Sequence, residues 1–284
     1  MTRPQLIAED LERIATINNL SNVFQSIASL QIARIKRQAQ ASTGFFEELW
    51  RLYTQLRAGP KKALANQEKV TTDKQLFVAI TGEGGFSGDI DHKLVDWMLS
   101  QYDPNTTDII CVGHHGAIQL AQAGVRLVQY FKLPAEDQAI ELEPMTALIE
   151  RYPSTTCFYQ TYVSLAVQDV KRLSLQRAVQ RLTTEVELDT EVISKRNYIF
   201  EPSEEGVINY LESTMLSIAL AQVILESKLA QYASRFRAMS LARDKGIQTQ
   251  SDLKVQYYRA KRGMADERLR EVINGLRAVR RGKR

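Results

Sequence analysis

Apolar residues recur every three or four positions near both ends of the chain, which is the period of an amphipathic helix. The first series consists of Leu11, Ile14, Ile17, Leu20, Phe24, Ile27 and Leu30. The second consists of Val207, Leu211, Met215, Ile218, Val223, Leu225, Leu229, Tyr232, Phe236 and Met239. No proline lies between Pro4 and Pro60 or after Pro202. Because proline is excluded from helix interiors, each of these stretches permits one long helix.

Helices of ~55 and ~80 residues would span roughly 80 Å and 120 Å, which is too long for the interior of a compact domain of this size. Two such helices bury their apolar stripes most simply against each other. We therefore expect residues 1–60 and 203–284 to form an antiparallel coiled coil. Gly44, Gly246 and Gly263 are positions where either helix could bend or break.

The middle of the chain, residues 70–202, alternates between strand-like and helix-like segments. The expected strands are Gln75–Thr81, Asp108–Val112, Arg126–Phe131, Thr155–Val163 and Asn197–Phe200. The expected helices are Asp89–Gln101, Ala117–Ala123 and Glu143–Arg151. Strands that are apolar throughout and separated by helices indicate a parallel sheet covered on both faces. The sequence thus predicts an α/β protein with a Rossmann-like parallel-sheet domain between the two long helices.

A glycine-rich turn follows the first expected strand, in the run FVAITGEGGFSGDID. A dinucleotide fingerprint requires G-x-G-x-x-G, but Ser87 stands at the third glycine position and Gly88 comes one residue late. A P-loop would need Lys-Ser or Lys-Thr, which is absent here. Asp89 and Asp91 would stabilise the first turn of the next helix and repel a phosphate. We therefore expect no bound cofactor and interpret the turn as structural.

Three potential metal ligands, Cys111, His114 and His115, lie within five residues. Adjacent histidines on one turn do not easily face one ion, and the chain has no second Cys/His pair to complete a zinc site. No Ser-containing nucleophile elbow is present either, because Ser87 lies in F-S-G-D. These patterns predict neither a metal site nor a catalytic centre.

Charge is distributed unevenly along the 284 residues, although the net charge is only +4. From Lys254 to Arg284 there are eleven Lys or Arg residues against three Asp or Glu residues. Such a segment suggests an acidic partner surface or nucleic acid, but it lacks interleaved aromatic residues and a recognisable nucleic-acid-reading module.

Cys111 and Cys157 lie in apolar runs and are expected to be buried thiols. The sequence contains no run of 18 apolar residues, so we predict no membrane span.

Five segments together resemble the γ subunit of F-type ATP synthases, in the family's order and spacing and over nearly the whole chain. The first, ERIATINNLSNVFQSIASLQIARIKRQAQ, is similar to the family's first helix. The segments VAITGEGGFSGDID and DIICVGHHGAIQLAQAG resemble its first two strands and their turns. The most specific match is NYIFEPSEEGVINYL, close to the family's D-Y-x-x-E-P-x-x-x-x-x-L, and ESKLAQYASRFRAMSLARD continues the last helix.

The resemblance implies a mechanical function rather than a catalytic one. In this family the coiled coil is an asymmetric axle inside a hexamer of α and β subunits, which make or hydrolyse ATP. The globular domain contacts the ε subunit and the c ring, and the membrane is reached only through that ring. A bacterial member would lie at the cytoplasmic face of the plasma membrane.

Several contact residues follow from the matched motifs. Candidate β-subunit contacts are Ile27, Lys261, Arg262 and Asp266, and candidate c-ring contacts are Tyr198 and Glu201. Lys261 and Arg262 replace an Arg-Gln pair of the family pattern, Asp266 replaces a threonine, and Ile27 replaces a methionine. The basic tail formed by Arg280, Arg281, Lys283 and Arg284 extends beyond the usual end of the family. These departures suggest a divergent branch, such as the alternative sodium-type bacterial ATPases.

Two other functions remain open from the sequence alone. One is a stand-alone nucleotide-binding regulator that dimerises through a coiled coil. The other is a coiled-coil adaptor whose basic tail binds nucleic acid, for which a steep dependence of DNA affinity on salt would be diagnostic.

Overall fold

A computed structural model of the chain describes residues 4–56, 71–133, 140–175, 201 and 203–281. The helices are α1 (Pro4–Leu56), α2 (Ile90–Leu99), α3 (His114–Gln122), α4 (Glu143–Ile149) and α5 (Glu204–Arg281). The strands are β1 (Gln75–Ile80), β2 (Thr107–Val112), β3 (Gln129–Phe131), β4 (Thr155–Tyr162) and β5 (Gln168–Ser174). The two long terminal helices and the α/β class predicted from the sequence are confirmed.

The chain divides into two compact units. The helical unit comprises Met1–Ile27 and Arg237–Arg284, and the sheet unit comprises Ala28–Phe236. In the helical unit Asn18 lies against Gly246, and Arg243 Nη1 donates to Gln25 Oε1 at 3.1 Å. Because the later α1 residue meets the earlier α5 residue, the two helical segments run antiparallel.

The sheet has the strand order β3-β2-β1-β4-β5. The pairs β1–β2, β1–β4 and β2–β3 are parallel, with Val78 opposite Ile110 on one side and Cys157 on the other. The expected parallel sheet is therefore confirmed for four strands. The remaining expected strand, Asn197–Phe200, lies outside the described residues.

The fifth strand, β5, was not predicted and pairs with β4 in the antiparallel direction. Its sequence, QDVKRLS, alternates charged and apolar residues and leaves Lys171 and Arg172 exposed. Such a strand does not resemble the continuous apolar runs that predicted β1, β2 and β4, because an edge strand faces water.

Alternation along the strands divides the core into two layers. Leu76, Val78 and Ile80 pack on one face of the sheet against α5 and α4. The α5 contribution consists of Leu211, Met215, Ala219, Leu220, Val223 and Ile224. Phe77 and Ala79 point to the other face, where α2 and α3 cover them. The α5 segment that carries the apolar stripe is therefore a core helix of the sheet unit.

Among the described residues α5 alone is long and apolar enough to cross a membrane by length and composition. One 18-residue window reaches a mean hydropathy of 1.4, and 39% of it is buried inside the protein. Packing in the sheet unit accounts for the apolar composition of this part of α5, since Met215 and Leu220 are fully buried there. The window meets the hydropathy criterion although Ser217 and Gln222 interrupt the apolar run.

Both cysteines are buried and free, as the sequence predicted. Burial raises the pKa of Cys111 to about 12, and the same cause raises the pKa of Cys157 to about 12. At pH 8 the thiolate fraction of such a group is roughly 10⁻⁴. We expect neither thiol to react with iodoacetamide in the folded protein, whereas both react in urea. Mass spectrometry after alkylation measures this, and rapid labelling of the folded chain would contradict the described burial.

Candidate functional site

The carboxyl ends of β1 and β4 form the switch point of the sheet, where the chain turns to opposite sides of β1. In open α/β sheets this crevice is the usual ligand site. The glycine-rich turn after β1 lies here, with Gly88 at φ 71° and Phe86 at φ 68°. The geometry therefore places the turn where a nucleotide-binding protein would hold its phosphates.

In this chain α5 side chains occupy the crevice. Arg235 donates from Nε to the Gly85 carbonyl and from Nη2 to the Gly84 carbonyl, both at 3.0 Å. Ser234 Oγ donates to the Ser87 carbonyl at 2.6 Å. The turn thus offers its carbonyl oxygens to the long helix, and its geometry fits that contact rather than a bound phosphate.

Asp91, at the start of α2, is the centre of a buried polar cluster and is 2% exposed. Its Oδ1 accepts hydrogen bonds from the Gly82 amide at 3.1 Å and from Gln160 Nε2 at 2.5 Å. Its Oδ2 lies 3.3 Å from Ser87 Oγ, which donates to it, and 3.2 Å from His115 Nδ1. The carboxylate therefore ties together the turn, β4 and the beginning of α3.

The cluster continues from Gln160 to α5. Gln160 Oε1 accepts hydrogen bonds from Ser227 Oγ and, at 3.2 Å, from Gln231 Nε2. Gln231 Nε2 is also 3.0 Å from Ser227 Oγ. We call Asp91, His115, Gln160, Ser227 and Gln231 the polar junction, because this chain of hydrogen bonds joins α5 to the carboxyl edge of the sheet.

Glu83 makes a second set of contacts at the same edge. Its Oε2 accepts hydrogen bonds from the backbone amides of His114 at 3.1 Å and Leu133 at 3.3 Å. His114 is the first residue of α3, so this carboxylate lies at the N-terminus of a helix, where an anion is favoured. The protein itself thus supplies the negative charge at a position that a phosphate could otherwise take.

The structure assigns the potential zinc ligands to other contacts. His115 bonds to Asp91, His114 binds Glu83 through its backbone amide, and Cys111 is buried beside Thr81. Within the described residues no group of three or more His, Cys, Asp or Glu side chains could hold one metal ion.

The predicted contact residues lie on separate surfaces. Lys261, Arg262 and Asp266 are exposed near the end of α5, and Lys261 lines a groove with Pro4 and Gln5 of α1. Ile27, 37% exposed, lies on α1 beyond the level where Gln25 meets Arg243.

Ile27 and Lys261 are therefore about 25 Å or more apart along the helix pair, at 1.5 Å per residue, and the structure does not bring them together. Glu201 is exposed. Tyr198, Lys283, Arg284 and the side chains of Arg280 and Arg281 lie outside the described residues.

The fold and these surfaces agree with the comparison against known families. A family model described as ATP synthase matches residues 7–279. This chain belongs to the ATP synthase gamma family. The resemblance stated from the sequence motifs is thereby confirmed, although no single motif carried it.

Relatives named ATP synthase gamma chain align over nearly the full length at low identity. The chain from Cytophaga hutchinsonii is 22% identical over 294 residues, covering 96% of this chain and 98% of that one. The chain from Streptococcus gordonii is 22% identical over 284 residues, covering 94% and 96%.

Solved structures show the same fold. The Euglena gracilis mitochondrial ATP synthase, described as OSCP/F1/c-ring, contains a chain with a TM-score of 0.65 and 16% identity, covering 99% of this chain and 96% of that one. A chain in the central stalk and c-ring structure from Tetrahymena thermophila has a TM-score of 0.56 and 16% identity, covering 78% and 99%.

Sequence reasoning missed the polar junction. It interpreted Asp91 as a residue that stabilises a helix start, and it considered His115 as a metal ligand only to reject that role, without naming a partner for it. Gln160 and Gln231 were not singled out at all. The available signal was a pair of polar residues, Ser227 and Gln231, which lie one turn apart inside an otherwise apolar helical stripe.

Proposed function

We propose that this chain is the central stalk of a rotary ATP synthase and a non-catalytic subunit of that enzyme. The observation that carries the proposal is the helical unit, in which two antiparallel helices continue with no strand among their described residues. A rotating stalk needs an elongated helical segment of this kind, because that segment must reach into the hexamer and transmit torque to it. Residues 1–60 and 203–284 form this axle in our proposal, and residues 70–202 form the globular foot.

The exposed face of α1 supports the proposal that partner subunits surround the axle. Four apolar residues of the helical unit follow one another at spacings of three and four on one face of α1 and are exposed, namely Ile17, Leu20, Val23 and Ile27. Contiguous exposed apolar surface on a soluble protein marks an interaction site. We propose that the α and β subunits of the hexamer surround this face and that ATP chemistry takes place on them.

The predicted site residues have matching roles in this proposal. Lys261, Arg262, Asp266 and Ile27 contact the β subunits, and Tyr198 and Glu201 contact the c ring. The ε subunit binds the globular foot. The chain lies at the cytoplasmic face of the bacterial plasma membrane and is attached to the membrane only through the c ring.

The polar junction gives the axle its attachment to the foot. Ser227 and Gln231 on α5 are hydrogen-bonded to Gln160 of β4, which is bonded to Asp91 of α2. Because all four side chains are buried, water does not compete for these bonds, and the helix resists rotation against the sheet. The occupied crevice also argues against the alternative of a stand-alone nucleotide-binding regulator.

Reconstitution tests the proposed function. The chain is co-expressed with the α and β subunits of its organism, the product is separated by size, and MgATP hydrolysis is assayed. We expect a stable complex with one copy of this chain per hexamer and turnover that depends on it. Co-expression of α and β without the chain is the control. Elution of the chain alone, beside an α/β assembly of equal activity, would refute the proposal.

A further inference from the structure

In the helical unit, the face of α1 that meets α5 is less apolar than a face that α1 leaves exposed. Two contacts identify the inner face, since Asn18 lies against Gly246 and Gln25 accepts a hydrogen bond from Arg243. The inner positions recur at alternating steps of four and three, which is the spacing of a coiled-coil seam, and all of them are buried or half-buried. These six residues, which we call the α1 seam, are Ile7, Leu11, Ile14, Asn18, Ser21 and Gln25.

The later half of the α1 seam is polar. Asn18, Ser21 and Gln25 take three successive seam positions at which a stable coiled coil carries aliphatic side chains. Asn18 is 8% exposed, and within the described residues its Oδ1 is buried without a hydrogen-bond donor. Such an oxygen is destabilising because it has lost its water and gained no bond in return. This part of the seam therefore does little to hold α1 against α5.

The α5 side of the contact adds little apolar surface. Gly246 is buried there without a side chain, and the place that a Cβ would take lies 1.9 Å from Asn18 Oδ1. The amide therefore packs against bare backbone. The charges of Arg13 do not cross the pair, since its carboxylate partners are Glu9 and Asp10 of the same helix.

The first turn of α1 is not closely packed either. Pro4 and Gln5 border a groove of about 850 Å³ that Tyr257 of α5 also lines. This turn contains no acidic residue to complement the helix dipole. Both the start and the later half of the seam thus lack strong attachment to α5.

Strongly apolar residues in this part of α1 lie outside the seam. Ile17, Leu20, Val23 and Ile27, which we call the apolar face of α1, are 37% to 55% exposed. Exposed apolar residues at helical spacing gain free energy only when another surface covers them. A partner on this face would supply the burial that the seam does not.

We infer that residues 4–27 of α1 pair with α5 only weakly in the free chain, and that a partner bound to the apolar face orders them against it. Partner binding and closure of the helix pair are then one coupled step, in which apolar burial on the partner offsets the cost of the polar seam. The identity of the partner, the α/β hexamer, rests on the proposed function. The weak pairing concerns this chain alone.

Amide hydrogen exchange of the full-length chain, followed by mass spectrometry, tests the inference. Peptides from residues 4–27 are compared between the free chain and the complex co-purified with the α and β subunits. Peptides from β1 and β2 are the internal reference, because these strands are buried in the sheet unit. In the free chain we expect residues 4–27 to exchange about a hundredfold faster than the reference, and in the complex to be slowed by a similar factor.

Asn18→Leu tests whether the polar seam causes the weak pairing. Leucine has nearly the shape of asparagine but buries no polar atom, so exchange of residues 4–27 in the free chain should slow about tenfold. Asn19→Leu is the matched control, because Asn19 is exposed on α1 and the change in helix propensity is the same. The control should slow exchange about twofold at most.

Ser21→Ala repeats the test without adding an atom to the seam. Ser21 is 4% exposed, and removal of its hydroxyl group makes the seam more apolar. Exchange of residues 4–27 should slow about threefold relative to Ser26→Ala, which removes an exposed hydroxyl group from the same helix. If neither seam variant slows exchange more than its control does, the polar seam is not the cause and the inference fails.

The wild-type comparison separates the inference from the proposed function. Equal protection of residues 4–27 and of the reference strands in the free chain would overturn the inference and leave the stalk function intact. Rapid exchange of residues 4–27 within a complex of one chain per hexamer would refute the coupling to the partner. If no complex forms, the proposed function fails and ordering by the hexamer fails with it, while the free chain still decides whether the pairing is weak.

Discussion

Replacement of Gly113 by alanine is expected to destabilise the sheet unit by about 3 kcal/mol or more. Gly113 follows β2 with φ 98°, a conformation that residues with a side chain rarely adopt. An added Cβ would lie 2.2 Å from the Thr81 carbonyl oxygen and 2.7 Å from the Thr81 carbonyl carbon. These are backbone atoms of the chain directly after β1, so relief would require a shift between two paired strands.

Urea unfolding followed by tryptophan fluorescence measures this loss, since Trp97 contacts Phe158 in the core. Gly124→Ala is the matched control, because Gly124 has φ 72° but no atom within 4 Å of the added Cβ. That variant should lose only about 1 kcal/mol, from backbone strain alone. Equal losses at the two positions would show that strain and not the close approach to Thr81 decides the effect.

The parts of the fold that could be predicted from the sequence are those set by local patterns. The two long helices follow from proline-free stretches and from apolar stripes such as that from Leu11 to Leu30. The strands β1, β2 and β4 follow from apolar runs that are buried on both faces. Both kinds of signal are contained within a few turns or within a single strand.

The functional contacts of the sheet unit depend instead on residues that are far apart in the chain. Gln160 and Asp91 are separated by 69 residues, and Gln231 and Gln160 by 71. No periodicity relates such residues, and each alone has an ordinary local interpretation. The partnership between the glycine turn and Arg235 was hidden for the same reason, since 150 residues separate Gly85 from Arg235.

The strand β5 and the tip of α5 show a different limit. β5 has no continuous apolar run, because an edge strand is buried on one side only. Charge gave the useful signal for α5, since the excess of Lys and Arg after Lys254 is visible in the sequence. That these side chains are exposed, as Lys261 and Arg262 are, became clear only from the structure.

Replacement of Asp91 by alanine is expected to lower the free energy of unfolding of the sheet unit by about 3 kcal/mol. The carboxylate accepts from the Gly82 amide, Gln160 Nε2 and Ser87 Oγ and contacts His115 Nδ1. Alanine would leave the Gly82 amide, Gln160 Nε2 and the Ser87 hydroxyl buried without this partner, and the cost of an unsatisfied buried donor exceeds the gain from making the bond. Urea unfolding measures the loss.

Two variants test whether the loss of these buried hydrogen bonds causes the destabilisation. Asp91→Asn keeps the shape and can still serve every partner, because the Ser87 hydroxyl can rotate and His115 can change tautomer to accept from the new amide. It should lose less than half of what alanine loses. Asp89→Ala removes an exposed carboxylate two residues earlier, paired with Lys93 at 2.9 Å, and should cost about 0.5 kcal/mol or less. Equal losses for Asp91→Ala and Asp89→Ala would contradict the role of the buried network.

The same variants test whether the polar junction carries torque in an assembled complex. Hexamer association should be nearly unchanged in Asp91→Asn, because the substituted residue lies in the sheet unit and the exposed apolar face of α1, which we propose meets the hexamer, lies on the helical unit. If the junction fixes α5 against the sheet, ATP-driven ion pumping by Asp91→Ala complexes should fall more than their ATP hydrolysis, since a loosened foot rotates less with the axle. A proportional fall of both activities would mean that the junction stabilises the sheet unit without transmitting rotation.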